Sequence, residues 1–213
     1  MTDHEVDAVA VDSAWSGGGS PFAMNSKKLG MWLFILSDSL TFSVLLISYA
    51  YVRLANPHWP RPFEIYPAIA KSTLMTFFLL SSSLTMVFGV SAAHRGNRKK
   101  AVICLLLTML GGALFVVLHA SEWVHLIVDE HVTPWSNPYG VPLFGGAFFG
   151  ITGMHMLHVT IGVIYLGIVA FGFGKGKFSD EDVEVSGLYW HFVDLVWMFV
   201  FPMIYLMSVN LKG

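Results

Sequence analysis

Histidine and carboxylate side chains recur in this 213-residue chain at a spacing of three, inside long apolar stretches. His119 precedes Glu122, with His125 one turn further on; His155 precedes His158; His191 precedes Asp194. On a helix, residues three apart share a face. Asp38 stands alone in the first apolar stretch. An Asp at the centre of a membrane span costs about 2.5–3.5 kcal/mol, so each of these groups is a functional candidate. Imidazoles and carboxylates on facing helices can bind iron, copper or haem. They can equally join helices by hydrogen bonds worth about 0.6–2 kcal/mol each. Proton handling and contact with lipid headgroups are the remaining chemistries open to them.

The elements that must position these groups follow from where charge is missing. Hydrophobic residues make up 55% of the chain and charged ones 12%, against about 25% charged in a soluble domain. That balance excludes a disordered chain and argues against a soluble one. A bilayer core needs about 20 apolar residues per helical span. Five windows qualify: 29–52, 72–93, 101–121, 143–174 (its span taken as 147–173) and 188–211. The charges inside them are Asp38 and Asp194 alone. The windows are apolar all round, unlike the striped helices of a soluble bundle. The expectation is an all-α polytopic membrane protein with five transmembrane helices. Residues 1–28 form a flexible tail, acidic, then Gly/Ser-rich, then basic, without the features of a signal peptide. Residues 29–213 form one membrane domain. Loops are expected at Pro57–Pro67, at the basic turn 95–100, at 129–146 and at 175–186.

Lys27, Lys28, Arg95, Arg98, Lys99, Lys100, Lys175 and Lys177 fall on one side of these spans; Arg53, Arg61, Lys71 and Lys212 fall on the other. The excess places the N-terminus in the cytoplasm. A net charge of −2 excludes a nucleic-acid binder driven by charge. One cysteine excludes a disulfide framework. No phosphate-binding loop, nucleophile elbow or His-Glu-x-x-His motif is present.

Depth separates the candidate groups. At about 1.5 Å per residue, Asp38, His191 and Asp194 fall in the cytoplasmic half and His119 and Glu122 at the outer end of span three. His155 and His158 lie nearer mid-depth. A dinuclear carboxylate centre needs Glu-x-x-His on two helices, and His119–Glu122 offers only the reverse order. Hydrogen-bonded packing is therefore preferred over a protein-bound metal. Gly145, Gly146, Gly150 and Gly153, and Ser81, Ser82 and Ser83, are expected to permit close helix approach. Trp123, Tyr189, Trp190 and Trp197, near span ends, are expected as interfacial anchors.

Four stretches resemble subunit III of the haem-copper oxidases. Tyr189-Trp190-His191-Phe192-Val193-Asp194-Leu195-Val196-Trp197 resembles the last-helix signature of that family. Thr152-Gly153-Met154-His155-Met156-Leu157-His158-Val159 resembles its Thr-Gly-x-His-x-x-His-Val motif. Residues 29–38, ending Ser37-Asp38, resemble a stretch that usually ends Ser-Glu, and Ser121-Glu122-Trp123 resembles a further triplet. Order and spacing agree over residues 29 to 209.

The resemblance implies a non-catalytic core subunit of a proton-pumping terminal oxidase, acting in assembly, lipid binding and proton uptake. Cytochrome c oxidase is the first reading; a quinol oxidase or nitric oxide reductase-type complex is the alternative. It implies no cofactor in this chain, haem and copper in partner subunits, and bound phospholipid. The implied partners are subunit I chiefly, subunit II, a small subunit IV where the complex has one, and membrane lipids. The implied place is the inner (plasma) membrane of a bacterium. Asp38 is the candidate for proton uptake or lipid contact, one methylene shorter than the family Glu. His119, Glu122, His155, His158, His191 and Asp194 are the packing candidates. The chain resembles the five-helix short form, in which the lipid cleft of the seven-helix form is absent or completed by a partner. A reading of another class, a free-standing membrane metal or haem protein, would use His119, Glu122, His155, His158 and His191.

Overall fold

The computed structural model describes residues 26–210. The tail assigned to 1–28 lies outside the described residues, except for its last three, which begin the first helix. Lys212 lies outside them too.

Five helices run antiparallel in chain order: α1 (Ser26–Ala55), α2 (Ala70–His94), α3 (Arg98–Val128), α4 (Pro142–Gly174) and α5 (Asp180–Val200). An irregular turn, Ile65–Ile69, leads into α2, and α5 continues through two tighter or wider turns, Phe201–Tyr205 and Leu206–Ser208. With those turns included, all five are long and apolar enough to cross a membrane. The helices outrun the charge-free windows, because a helix does not stop where its charges start. The stretch 175–186 is not all loop: α5 starts at Asp180. Ser179 caps it, its hydroxyl meeting the Asp182 amide while the Asp182 carboxylate accepts from the Ser179 amide at 2.9 Å. Asp180, Glu181 and Asp182 then face the positive end of the helix dipole. Likewise α4 begins at Pro142, inside the expected loop 129–146, with proline in the first turn where its missing N–H costs nothing.

α2 and α3 pack most extensively, then α3 with α4, and α5 closes the bundle against α4 and α2. The α2–α3 turn is tight because Gly96 takes φ +73° and Asn97 caps α3. α1 is the outlier: of its residues only Phe42 and Tyr49 are buried, and it leans mainly on α5. Its far end is tied to the chain's C-terminal end. Arg53 donates to the Met207 carbonyl and to Ser208 Oγ at 3.0 Å, and Tyr49 meets Ser208 at 3.2 Å. Arg53, against the charge bias of its side, thus closes off the carbonyls that end the last helix.

Two expectations about packing are corrected. Trp190 and Trp197 are fully buried and Tyr189 nearly so; they are core residues, not interfacial anchors. Glycines make the room: a Cβ at Gly112 would overlap the Trp190 ring, and one at Gly162 would lie 3.0 Å from it. The Gly146-x-x-x-Gly150 pair does not serve close approach within the chain, because a Cβ at Gly150 would meet nothing within 4 Å. Gly145 and Gly153 do, against Thr133 and the Trp123 ring. Gly112→Ala is therefore expected to destabilise the bundle by about 1–3 kcal/mol through overpacking, and Gly150→Ala by less than about 0.5 kcal/mol. Thermal unfolding in detergent compares them; equal losses would contradict the assignment.

Candidate functional site

Two of the three i,i+3 pairs, His119–Glu122 and His155–His158, divide between neighbours, while His191 and Asp194 stay on one seam, and four polar clusters result.

The first joins α1 to α4. Asp38 Oδ2 lies 3.3 Å from His158 Nε2, with each side chain 12% exposed. Asp38 does not stand alone. The approach is a close ionic contact, not a well-aligned hydrogen bond. The other ring nitrogen, His158 Nδ1, lies 2.8 Å from the Met154 carbonyl, which only accepts, so Nδ1 carries a proton. Phe42 covers the imidazole edge-on, with ring centroids 5.4 Å apart, and the Tyr189 hydroxyl donates to the His158 carbonyl at 3.0 Å.

The second lies in the core between α3, α4 and α5. His119 and His155 are fully buried, and both rings contact Phe115 and Trp197 with centroids 4.9–5.6 Å apart. The depth reckoning had separated them. It misjudged where α3 ends: the helix runs on to Val128, past its charge-free window, so His119 lies deeper than that window implies. His155 Nε2 donates to the Val193 carbonyl at 3.1 Å, leaving Nδ1 without a partner. Neither nitrogen of His119 has one, nor has Trp123 Nε1.

The third centres on Glu122. Oε1 accepts from Ser72 at 3.2 Å and Oε2 from the Tyr205 hydroxyl at 2.9 Å, so α3 is bonded to α2 and to the end of the last helix. A cleft of about 360 Å³ lined by Glu64, Lys71, His125 and Glu130 opens toward it. Glu122→Ala leaves the buried Tyr205 hydroxyl without its acceptor, at about 1–3 kcal/mol for a group left unsatisfied, while Ser72 keeps the Ala68 carbonyl. His155→Ala opens a void beneath Trp197. Both variants are expected to dissociate from their complex in detergent faster than wild type. Unchanged retention of both would argue against a packing role.

The fourth runs along the α2–α5 seam. His191 Nδ1 meets Ser83 Oγ at 2.6 Å, and Ser83 also reaches the Asp194 carboxyl. Asp194 is 6% exposed and its Oδ1 lacks a partner. Trp190 donates to Ser82 at 3.0 Å and Trp197 to Thr76 at 2.9 Å. The serines expected to act through small size act through their hydroxyls as well.

Among the described residues, no three of His, Cys, Asp and Glu come close enough together to hold a metal ion. The aromatic rings around His119 and His155 sit at contact distance from the two imidazoles. What the four clusters can do chemically is hold helices together and, at Asp38–His158 and Glu122–Tyr205, set a carboxyl group beside a second side chain able to carry a proton. The residues that sequence reasoning missed are Ser72, Thr76 and Tyr205. They are ordinary hydroxyls whose partners lie 50 to 121 positions away.

Comparison with known proteins gives a consistent result. The family described as "Cytochrome c oxidase subunit III" matches residues 4–209. The chain is 29% identical to "Cytochrome c oxidase subunit 3" of Alkalihalophilus pseudofirmus, over 87% of this chain and 88% of that protein. It is 32% identical to "Quinol oxidase subunit 3" of Bacillus spizizenii, over 85% and 87%. It is also 32% identical to "Cytochrome bo(3) ubiquinol oxidase subunit 3" of Pseudomonas putida, over 85% and 86%.

Proposed function

This chain belongs to the cytochrome c oxidase subunit III family, and from that premise we propose that it is the non-catalytic third core subunit of a proton-pumping terminal oxidase fed by cytochrome c. It lies in the plasma membrane of a bacterium with its N-terminus in the cytoplasm. It packs chiefly on subunit I, with subunit II, a small subunit IV where one exists, and phospholipid completing the assembly. Haem and copper, when bound by those partners, supply the oxygen chemistry. Their ligands are placed in those partners, a reading supported by the packing of His119 and His155 against Trp197 and by the bond from His155 to the Val193 carbonyl.

The observation that carries the reading is the Asp38–His158 pair. It sets a carboxyl group against an imidazole where the least buried helix meets the rest. Both side chains keep slight exposure near the surface of α1, where a partner or lipid would lie. A carboxyl group and an imidazole are side chains that can bind and return a proton, which is what support of proton uptake requires. His119, Glu122, His155, His191 and Asp194 hold the helices in register around it.

A quinol donor is the second reading, favoured by the relatives named as quinol oxidase subunits at 32% identity. Nothing in this chain selects between the donors. Affinity purification of the tagged chain in mild detergent, with a visible spectrum and identification of its partners, tests the proposal. A haem-copper subunit I is expected to co-purify, and a copper-ligand motif in the accompanying subunit II marks cytochrome c as donor. Recovery of the chain without any haem-bearing partner would count against the proposal.

A further inference from the structure

At the end of the bundle where α1 begins, the turn 95–97, the loop after Gly174 and the first turn of α5 come together. The acids there are engaged. Asp182 meets Lys27 at 2.7 Å, Glu184 meets Lys28 at 2.5 Å, and Asp180 meets His94 at 3.1 Å. Arg95, Arg98, Lys99, Lys100, Lys175 and Lys177 have no carboxylate partner among the described residues. Arg98 lies over the Phe173 ring and Lys175 over the Phe171 ring, 4.0 Å from its centroid. Cations laid along aromatic rings at the ends of spans sit at headgroup level.

Beside this cationic cap, between α2 and α5, runs a groove of about 490 Å³. This is within the range of about 300–1,000 Å³ typical of ligand sites. Its walls are Val87, Val90, Gly187 and Leu188; Arg95 and His94 stand at its mouth, and His191 lies further in. Glu184 also lines the mouth, but its carboxylate is matched by Lys28. The apolar walls face outward, with Val87 half exposed.

We propose that this groove is a binding site for an anionic phospholipid, its phosphodiester on Arg95 under the cationic cap and one acyl chain along Val87, Val90 and Leu188. The match is chemical on both halves. A cation without a partner at the mouth calls for an anion, and apolar walls below it, open to the bilayer, call for a hydrocarbon chain. Basic pockets between spans at the cytoplasmic side take anionic headgroups in this way. A zwitterionic lipid would bring its own ammonium group to a surface already rich in cations. The inference extends the lipid-binding part of the proposed function to a defined site, and rests on that reading only in placing the chain within a complex.

The test uses the complex purified through this chain, exchanged into nanodiscs of equal phosphatidylglycerol and phosphatidylcholine, with retained lipid read by native mass spectrometry. Wild type is expected to retain phosphatidylglycerol preferentially. Arg95→Gln is expected to lower that retention roughly tenfold, as loss of a charge-assisted contact does, and Arg95→Lys to restore most of it. Leu188→Trp, which fills the groove, is expected to lower it as well. If that variant fails to assemble, the Arg95 pair alone decides. Excess inorganic phosphate is expected to leave the lipid in place; displacement would show that only the phosphate is recognised and would overturn the acyl-chain half. Equal retention in wild type and Arg95→Gln, or equal retention of phosphatidylcholine, would overturn the site. Absence of a haem-copper partner alongside normal lipid selectivity would count against the proposed function and leave the site standing.

Discussion

Trp197→Ala is expected to be the most damaging single change in the bundle, at about 3–5 kcal/mol, the range for deleting a buried aromatic ring. Its ring touches Phe115, His119, His155, Phe201 and Tyr205, which come from α3, α4 and the turn that follows α5. Its Nε1 donates to Thr76 on α2 at 2.9 Å. In a bilayer the hydrophobic effect does not drive helices together, so association depends on contact packing and on such bonds. Removing the ring takes both away at the point where His119 already lacks hydrogen-bond partners. Trp197→Phe keeps most of the packing and loses the bond, at about 1 kcal/mol. The half-life of the subunit on its complex during detergent incubation separates them. Equal half-lives for the two variants would contradict the packing account.

The second large effect is functional. Asp38→Asn leaves a side chain of the same shape whose amide still donates to His158 Nε2, so assembly is expected to stay intact. What it removes is the carboxyl group, since an amide neither takes up nor releases a proton. Proton uptake should slow, or the number of turnovers before inactivation should fall, by roughly tenfold, the equivalent of about 1.4 kcal/mol. Asp38→Glu restores the carboxyl with a longer reach and is expected to restore most of the lost turnover. Stopped-flow proton uptake and activity-against-time traces read both quantities. An Asp38→Asn complex that turns over as fast and as long as wild type would leave Asp38 a packing role only.

The fold was largely legible because the bilayer writes its demand plainly: five windows with at most one charge each become five helices. Helix ends were not legible, because charge is what caps a helix as well as what leaves a membrane. Asp180, Glu181 and Asp182 read as loop and are the first turn of α5. The site was legible as residue types and not as pairs. Spacing of three puts His155 and His158 on one face, yet the angle of about 60° between them at 3.6 residues per turn sends one into the aromatic core and the other to Asp38. Trp190 and Trp197 read as anchors because tryptophan near a span end usually is one. Gly112 and Gly162, on other helices, are what admit Trp190 to the core, and nothing local to the tryptophan signals them.

The central claim is that this chain supports haem-copper chemistry without holding any of it. The direct measurement is to strip this subunit from the purified complex with detergent and assay haem, copper and iron in both fractions. All haem and copper are expected to remain with the residual complex, its visible spectrum unchanged, while the separated chain carries neither. Haem or copper recovered with the separated chain at a stoichiometric level would contradict the account.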